Sequence, residues 1–174
     1  MSDRMLWQPS EAQLSTSQMT QFIEFLNEQS AMSVHDYNEL HSWSINNRGD
    51  FWQAVIEFCG IIYHQAPTTP LIDEGHMIDA NWFPGMTLNF AENLLKHRGD
   101  DTAIVFESES EHVKSLSFNQ LNQQVAQVQQ QLKKCGVGVG DRVAGFLPNI
   151  PETIVAMLAT TSLGAVWSST SPDF

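Results

Sequence analysis

Apolar residues recur at three- and four-residue steps through the first third of the chain, the spacing of helices that bury one face. Met19, Phe22, Ile23 and Leu26 share such a face, with Thr16 or Ser17 as N-cap. Ser33 is the expected cap of a second helix carrying Tyr37, Leu40 and Trp43. Asp50 is the expected cap of a third, with Phe51, Val55, Phe58 and Ile62 in one stripe. Aromatic side chains at helical spacing supply core area, so these stripes read as packing faces rather than a ligand pocket. Pro67 and Pro70 then break regular structure, and Trp82-Phe-Pro-Gly85 reads as a turn before a short helix around Leu88, Ala91, Leu94 and Leu95.

The pattern changes after Gly99-Asp-Asp101, which divides residues 1–100, a helical N-terminal cap and connector, from residues 101–174. Ala103 to Phe106 is a β-prone run, Ser108-Glu-Ser-Glu-His112 a polar loop, and Val113 to Leu116 a second short strand. Ser117 then caps a helix whose Phe118, Leu121, Val125, Val128 and Leu132 form one stripe. Glutamines fill its other faces, Lys133 and Lys134 suit the carbonyl end, and Gly136 stops it. Arg142 to Leu147 reads as a strand, Asn149 and Pro151 open a helix over Thr153–Leu163 that Gly164 closes, and Ala165 to Ser168 as another strand. Strand, helix, strand, helix, strand with short links predicts right-handed crossovers and parallel neighbours in one sheet. The expected fold class is α/β: a helical N-terminal cap followed by the start of a parallel-stranded βαβαβ subdomain. Parallel strands are normally flanked and covered, whereas six residues follow the last predicted strand, so this subdomain is expected to be truncated.

Charge narrows the partners. The 174 residues hold 8 Lys and Arg against 20 Asp and Glu, a net −12. That balance argues against nucleic acid or an anionic membrane surface. Thr153 to Trp167 is too short and too polar to cross a bilayer, and the first residues lack the basic flank and apolar run of a signal peptide. A cytoplasmic protein without a membrane span is expected. Cys59 and Cys135 stand far apart in no CxxC pairing and are predicted to be buried free thiols.

Motifs of catalysis are sparse. In Gly136-Val-Gly-Val-Gly-Asp141 the glycines follow a helix and precede a strand, the reverse of a dinucleotide fingerprint, so they read as a helix stop and turn. No GxxxxGK[ST] is present. His35, His41, His64, His76, His97 and His112 form no HExxH or His-x-His pair, and the acidic run Glu107 to Glu111 reads as a solvated loop. No metal site and no catalytic residue are therefore assigned. Ser168, Ser169 and Ser171 are placed after a strand, where α/β proteins position ligand contacts, although no GxSxG elbow supports a nucleophile.

Longer words of the sequence carry a resemblance. Trp82-Phe-Pro-Gly-Met-Thr-Leu-Asn-Phe-Ala-Glu-Asn-Leu-Leu95, Gly140-Asp-Arg-Val-Ala-Gly-Phe-Leu-Pro-Asn-Ile-Pro-Glu152, Ala156-Met-Leu-Ala159 and Gly164-Ala-Val-Trp-Ser-Ser-Thr-Ser-Pro-Asp-Phe174 closely resemble the N-terminal part of acetoacetyl-CoA synthetases. Glu39-Leu-His-Ser-Trp-Ser44 and Phe51-Trp52 resemble the N-terminal cap of acetate- and acetoacetate-type enzymes. Gly-Asp-Arg-Val identifies only the adenylate-forming superfamily, and Thr170 stands where the acetoacetate branch often has Cys. The resemblance implies that residues 101–174 begin a large AMP-binding α/β domain. It also implies a ligase joining acetoacetate to CoA through an acyl-adenylate, with ATP, CoA and Mg²⁺ serving the whole enzyme and none held tightly by this segment. The phosphate loop, adenosine site and catalytic Lys of that family lie downstream, so the segment alone is expected to be inactive. The resemblance places Ser171, Pro172 and Asp173 beside the CoA channel, with capping of a following helix an equal reading of Asp173. Another short-chain acyl-CoA synthetase and a non-catalytic α/β interaction module are the alternatives, and no oligomeric state is assigned.

Overall fold

The computed structural model describes residues 5–29, 32–72, 75–109 and 113–172. The chain forms two compact units, one of residues 1–61 and 65–86, the other of residues 62–64 and 87–174. The composition shift at Gly99–Asp101 falls inside the second unit.

The first unit is helical. Ser10 and Gln13 form a capping box that starts α1 (Glu11–Ser15), an element without an apolar stripe to announce it. In α2 (Gln18–Gln29) the Ser17 hydroxyl accepts the Thr20 N–H at 3.1 Å, as expected of its cap. The next cap differs from expectation. α3 (Tyr37–Asn46) is capped by Asp36, whose carboxylate accepts the Glu39 N–H at 2.9 Å, while Ser33 pairs instead with the His35 ring at 2.7 Å. The carboxylate stands directly before the first helical turn, where its charge also meets the positive end of the helix dipole. α4 (Arg48–Phe58) likewise starts ahead of Asp50, which lies in its first turn, and stops before Ile62. Gly60, with φ 57°, donates its N–H to the Glu57 carbonyl while Ile61 donates to Ile56, the paired bonds of a Schellman stop. Ile62 therefore leaves the stripe.

Phe22, Leu26, Val34 and Leu40 are buried at the centre of this unit, with Phe25, Trp43, Phe51, Val55 and Phe58 packed round them. Ring centroids of Phe22 lie 5.1 Å from Phe58 and 6.0 Å from Phe51. The aromatic stripes are packing faces, as the spacing predicts. Beyond them, β1 (Leu71–Ile72) and β2 (Asn81–Trp82) pair antiparallel, and the predicted turn follows, with φ 48° at Phe83 and 82° at Gly85.

The second unit mixes helix and strand. Its elements are α5 (Phe90–Leu94), β3 (Thr102–Glu107), β4 (Val113–Ser117), α6 (Phe118–Lys134), β5 (Arg142–Phe146), α7 (Pro151–Ser162) and β6 (Val166–Thr170). The α/β class holds, and β5–α7–β6 is a parallel βαβ unit. Pairing departs from expectation at β4, which joins β3 antiparallel, with Ile104 opposite Leu116, rather than lying parallel beside β5. Two strands joined by a few polar residues close as a hairpin because that contact costs little loop entropy. Strands among the described residues thus form separate two-stranded ladders rather than one sheet. Of the loop Ser108–His112, only Ser108 and Glu109 are described.

α6 forms where its stripe and caps predict. The Ser117 hydroxyl accepts the Gln120 N–H at 3.2 Å and the Gln120 side chain accepts the Ser117 N–H at 2.9 Å. At its other end Gly136, at φ 84°, donates to Lys133 and Val137 donates to Leu132, a second Schellman stop. Leu121 and Val125 of α6 meet Val155, Leu158 and Ala159 of α7 and Ala91 of α5 in a buried core. Each such leucine contributes about 1.5–3 kcal/mol by leaving water.

Cys59 and Cys135 form no disulfide with each other, and both are exposed rather than buried. Each occupies a helix C-cap, at the rim where the stripe has ended. Among the described residues no helix is long and apolar enough to cross a membrane.

Candidate functional site

The parallel pair builds the most informative edge of the molecule. Its register runs from Arg142 opposite Val166 to Phe146 opposite Thr170. The Leu147 N–H donates to the Thr170 carbonyl at 3.2 Å, carrying the ladder one step further. Both strands therefore end together, and the carboxyl ends of parallel strands are where α/β proteins open their crevices. Residues 147–150 leave β5 there and turn into α7, with the Thr153 hydroxyl donating to the Pro148 carbonyl at 2.7 Å. Ser171, half-buried, and Pro172, exposed, leave β6 at the same edge. Asp173 lies outside the described residues. Ser168, the last residue of the predicted strand, and Ser169, expected beyond it, both lie within β6, because its ladder continues to Thr170. They occupy paired strand positions rather than a loop.

The two sides of this ladder differ. On one side the ring of Trp167 lies over Gly145: a Cβ built on that glycine would meet the indole at 2.5 Å. Only a residue without a side chain admits the indole there. On the other side Ala144, Phe146, Val166 and Ser168 are exposed.

The glycine run ahead of β5 is structural. Gly138 donates its N–H to the Asp141 carboxylate at 2.8 Å, and the Asp141 N–H returns to the Gly138 carbonyl at 3.2 Å. Gly140 donates to the Gly164 carbonyl at 3.0 Å, and Val139 packs on Gly164. Helix stop and turn describe it fully.

A cleft of about 650 Å³ lies elsewhere in the second unit, lined in part by His64, Asn89, Glu92, Lys96, Gln129 and Ser162. Its polar groups engage one another. His64 Nε2 and Glu92 Oε2 lie 2.7 Å apart, Gln129 donates to the Ser162 hydroxyl at 2.8 Å, and Asn89 donates to the Thr161 and Ser162 carbonyls. Asn89 also caps α5 by accepting the Glu92 N–H at 3.0 Å. Periodicity and motif reading missed this network; its one local trace is the spacing Asn89-x-x-Glu92, that of a helix start.

The remaining histidines do not converge: His35 meets Ser33, His41 stacks on Tyr37, and His97 lies beside Phe118. His112 lies outside the described residues. Among the described residues no group of three or more His, Cys, Asp and Glu could hold a metal ion. Lys114 of β4 pairs with Glu152 in the first turn of α7. The hydrogen bond from Lys114 and one from the Glu152 backbone hold this carboxyl below its ordinary value, against a smaller opposing effect of burial.

Comparison with known proteins agrees with this architecture. Residues 90–174 match the family described as AMP-binding enzyme, and residues 37–94 match the acetyl-coenzyme A synthetase N-terminus. An acetoacetyl-coenzyme A synthetase of Rhizobium meliloti is 44% identical over 99% of this chain and 26% of its own length. Malonamoyl-CoA synthetase vrtB of Penicillium aethiopicum is 36% identical over 98% of this chain and 24% of its own. The solved acetoacetyl-CoA synthetase of Streptomyces lividans superposes with a TM-score of 0.87 at 36% identity, covering 98% of this chain and 27% of that one. The chain spans about a quarter of the length of the curated relatives it matches. Over nearly its whole length the chain is thus similar to about a quarter of the length of acetoacetyl-CoA synthetases, with residues 37–94 matching the acetyl-coenzyme A synthetase N-terminus and residues 90–174 the AMP-binding enzyme family.

Proposed function

We propose that the chain is the N-terminal portion of an acetoacetate:CoA ligase and supplies scaffold and one wall of the CoA entrance to the whole enzyme. The whole-length likeness to a solved acetoacetyl-CoA synthetase is the observation that carries this reading. In the reaction, an acetoacetate oxygen attacks the α-phosphorus of ATP and the bond to the β-phosphate breaks, releasing pyrophosphate. The CoA sulfur then attacks the acyl carbon of the adenylate, its proton leaves, and the bond to AMP breaks. Charge developing on the phosphoryl oxygens needs cationic and N–H donors and a metal, Mg²⁺ in this reading. The described residues offer that ion no ligand cluster, so no step is assigned to it within this span.

Ser171, Pro172 and Asp173 are the candidate CoA contacts. Support comes from the shared carboxyl edge of β5 and β6, where Ser171 and Pro172 leave the ladder. Acyl selectivity is assigned to the rest of the enzyme, because this span is comparably similar to a malonamoyl-CoA synthetase. A related short-chain acid is accordingly the second reading. The absence of a nucleic-acid partner rests on the acidic balance.

One experiment with two arms tests the proposal. The isolated 174 residues should give no acetoacetate-dependent ATP–pyrophosphate exchange. In the full-length enzyme, Ser171→Ala should raise the KM for CoA about two- to tenfold, one lost hydrogen bond, while exchange stays unchanged. Exchange by the segment, or loss of exchange in the variant with CoA use intact, would overturn it.

A further inference from the structure

We propose that α5 is a clasp and that the strap it holds, residues 62–64, opens as a discrete local event separate from unfolding of the second unit. The chain on either side of this strap belongs to the first unit, while these three residues belong to the second. Hydrogen bonds rather than apolar burial hold them. The Asn93 side chain accepts the Ile62 N–H at 2.8 Å and donates to the Ile62 carbonyl at 2.9 Å, the pair of bonds a neighbouring strand would supply. Its carboxamide also donates to the Asn89 carbonyl at 3.1 Å, so its orientation is set from within the helix. The His64 N–H donates to the Thr87 carbonyl at 2.7 Å, and the His64 ring meets Glu92.

The strap's own side chains are open to water: Ile62 is 36% and Tyr63 42% exposed. Exposed hydrogen bonds with little apolar burial behind them mark the low-stability end of a structure. The other side of α5 is anchored differently. Ala91 is fully buried in the core, and Asn89 grips the last carbonyls of α7. The strap can therefore lift while α5 stays seated. This gives the Asn-Phe-Ala-Glu-Asn word at 89–93 a mechanical role that needs no ligand.

Amide exchange on the 174-residue chain across a urea series tests the clasp. In the wild type the Ile62 and His64 amides should exchange through an opening nearly independent of urea, whereas Leu121 and Val125 should follow the global slope. Asn93→Ala weakens the closed state alone, so it should speed Ile62 exchange about tenfold, with Leu121 faster by the same factor through global unfolding and the Ile62 opening still nearly independent of urea. Asn93→Asp, which keeps the acceptor and loses the donor, should fall between. Equal urea slopes for Ile62 and Leu121, or an Ile62 exchange rate unchanged in Asn93→Ala, would overturn the proposal. Should Asn93→Ala fail to fold, the wild-type slopes decide alone.

Discussion

Thr160, fully buried on α7, places a hydroxyl where no hydrogen-bond partner among the described residues meets it. A buried polar atom without a partner costs about 1–3 kcal/mol, and valine has the same shape without the hydroxyl. Thr160→Val should stabilise the chain by about 1 kcal/mol, read as a higher urea midpoint at unchanged slope. A lower midpoint would mean that the hydroxyl is satisfied after all. Glu152 carries the opposite kind of polarity, exposed and partnered. Its carboxyl is held below the ordinary value of 4.5 by Lys114, so its stabilising effect is present above that pH and fades as pH falls through the lowered value. Both side chains are more than a third exposed, 38% and 51%, so solvent screening keeps the pair to roughly 0.5 kcal/mol. Glu152→Gln should cost that much at neutral pH, and its urea midpoint should converge on the wild type's in acid; a gap that persists at low pH would remove the ion pair from the account.

Helix α6 shows at the level of elements why some structure is legible from order alone. Cap, stripe, basic last turn and stopping glycine all lie within its own length and agree with one another. Ser117→Ala removes half of the capping box and should cost about 1 kcal/mol in thermal or urea unfolding, with Ser117→Asp recovering most of it. Other elements involve choices between near-equal local candidates. Ser33 and Asp36 both suit an N-cap, and the charged one adjoining the first turn prevails. By spacing the stripe of α4 runs on to Ile62, yet Gly60 ends the helix, a stop readable in the sequence had it outweighed the period. An order-of-elements rule weighs the sequence of strands and helices and not the length of each link, so it passes over the β3–β4 hairpin, whose strands are joined by only a short polar loop. The edge bearing Ser171 is legible because it needs only the end of a strand. That end comes two residues later than expected, which moves Ser169 and Thr170 into the ladder. The network of Asn89, Glu92 and Asn93 is not legible, since its partners stand up to 73 residues away.

Over the whole molecule, apolar patterning divides the work. The first unit is built round aromatic rings, the second round aliphatic side chains from α5, α6 and α7. The acidic balance leaves few cations to meet an anionic partner. Tryptophan is distributed unevenly too. Of the five, Trp7, Trp43, Trp52 and Trp82 fall in the first unit, and Trp167 alone in the second, seated over Gly145. Replacing the other four with phenylalanine would leave a chain whose tryptophan emission comes solely from the β5–β6 ladder, a built-in optical gauge of its carboxyl edge.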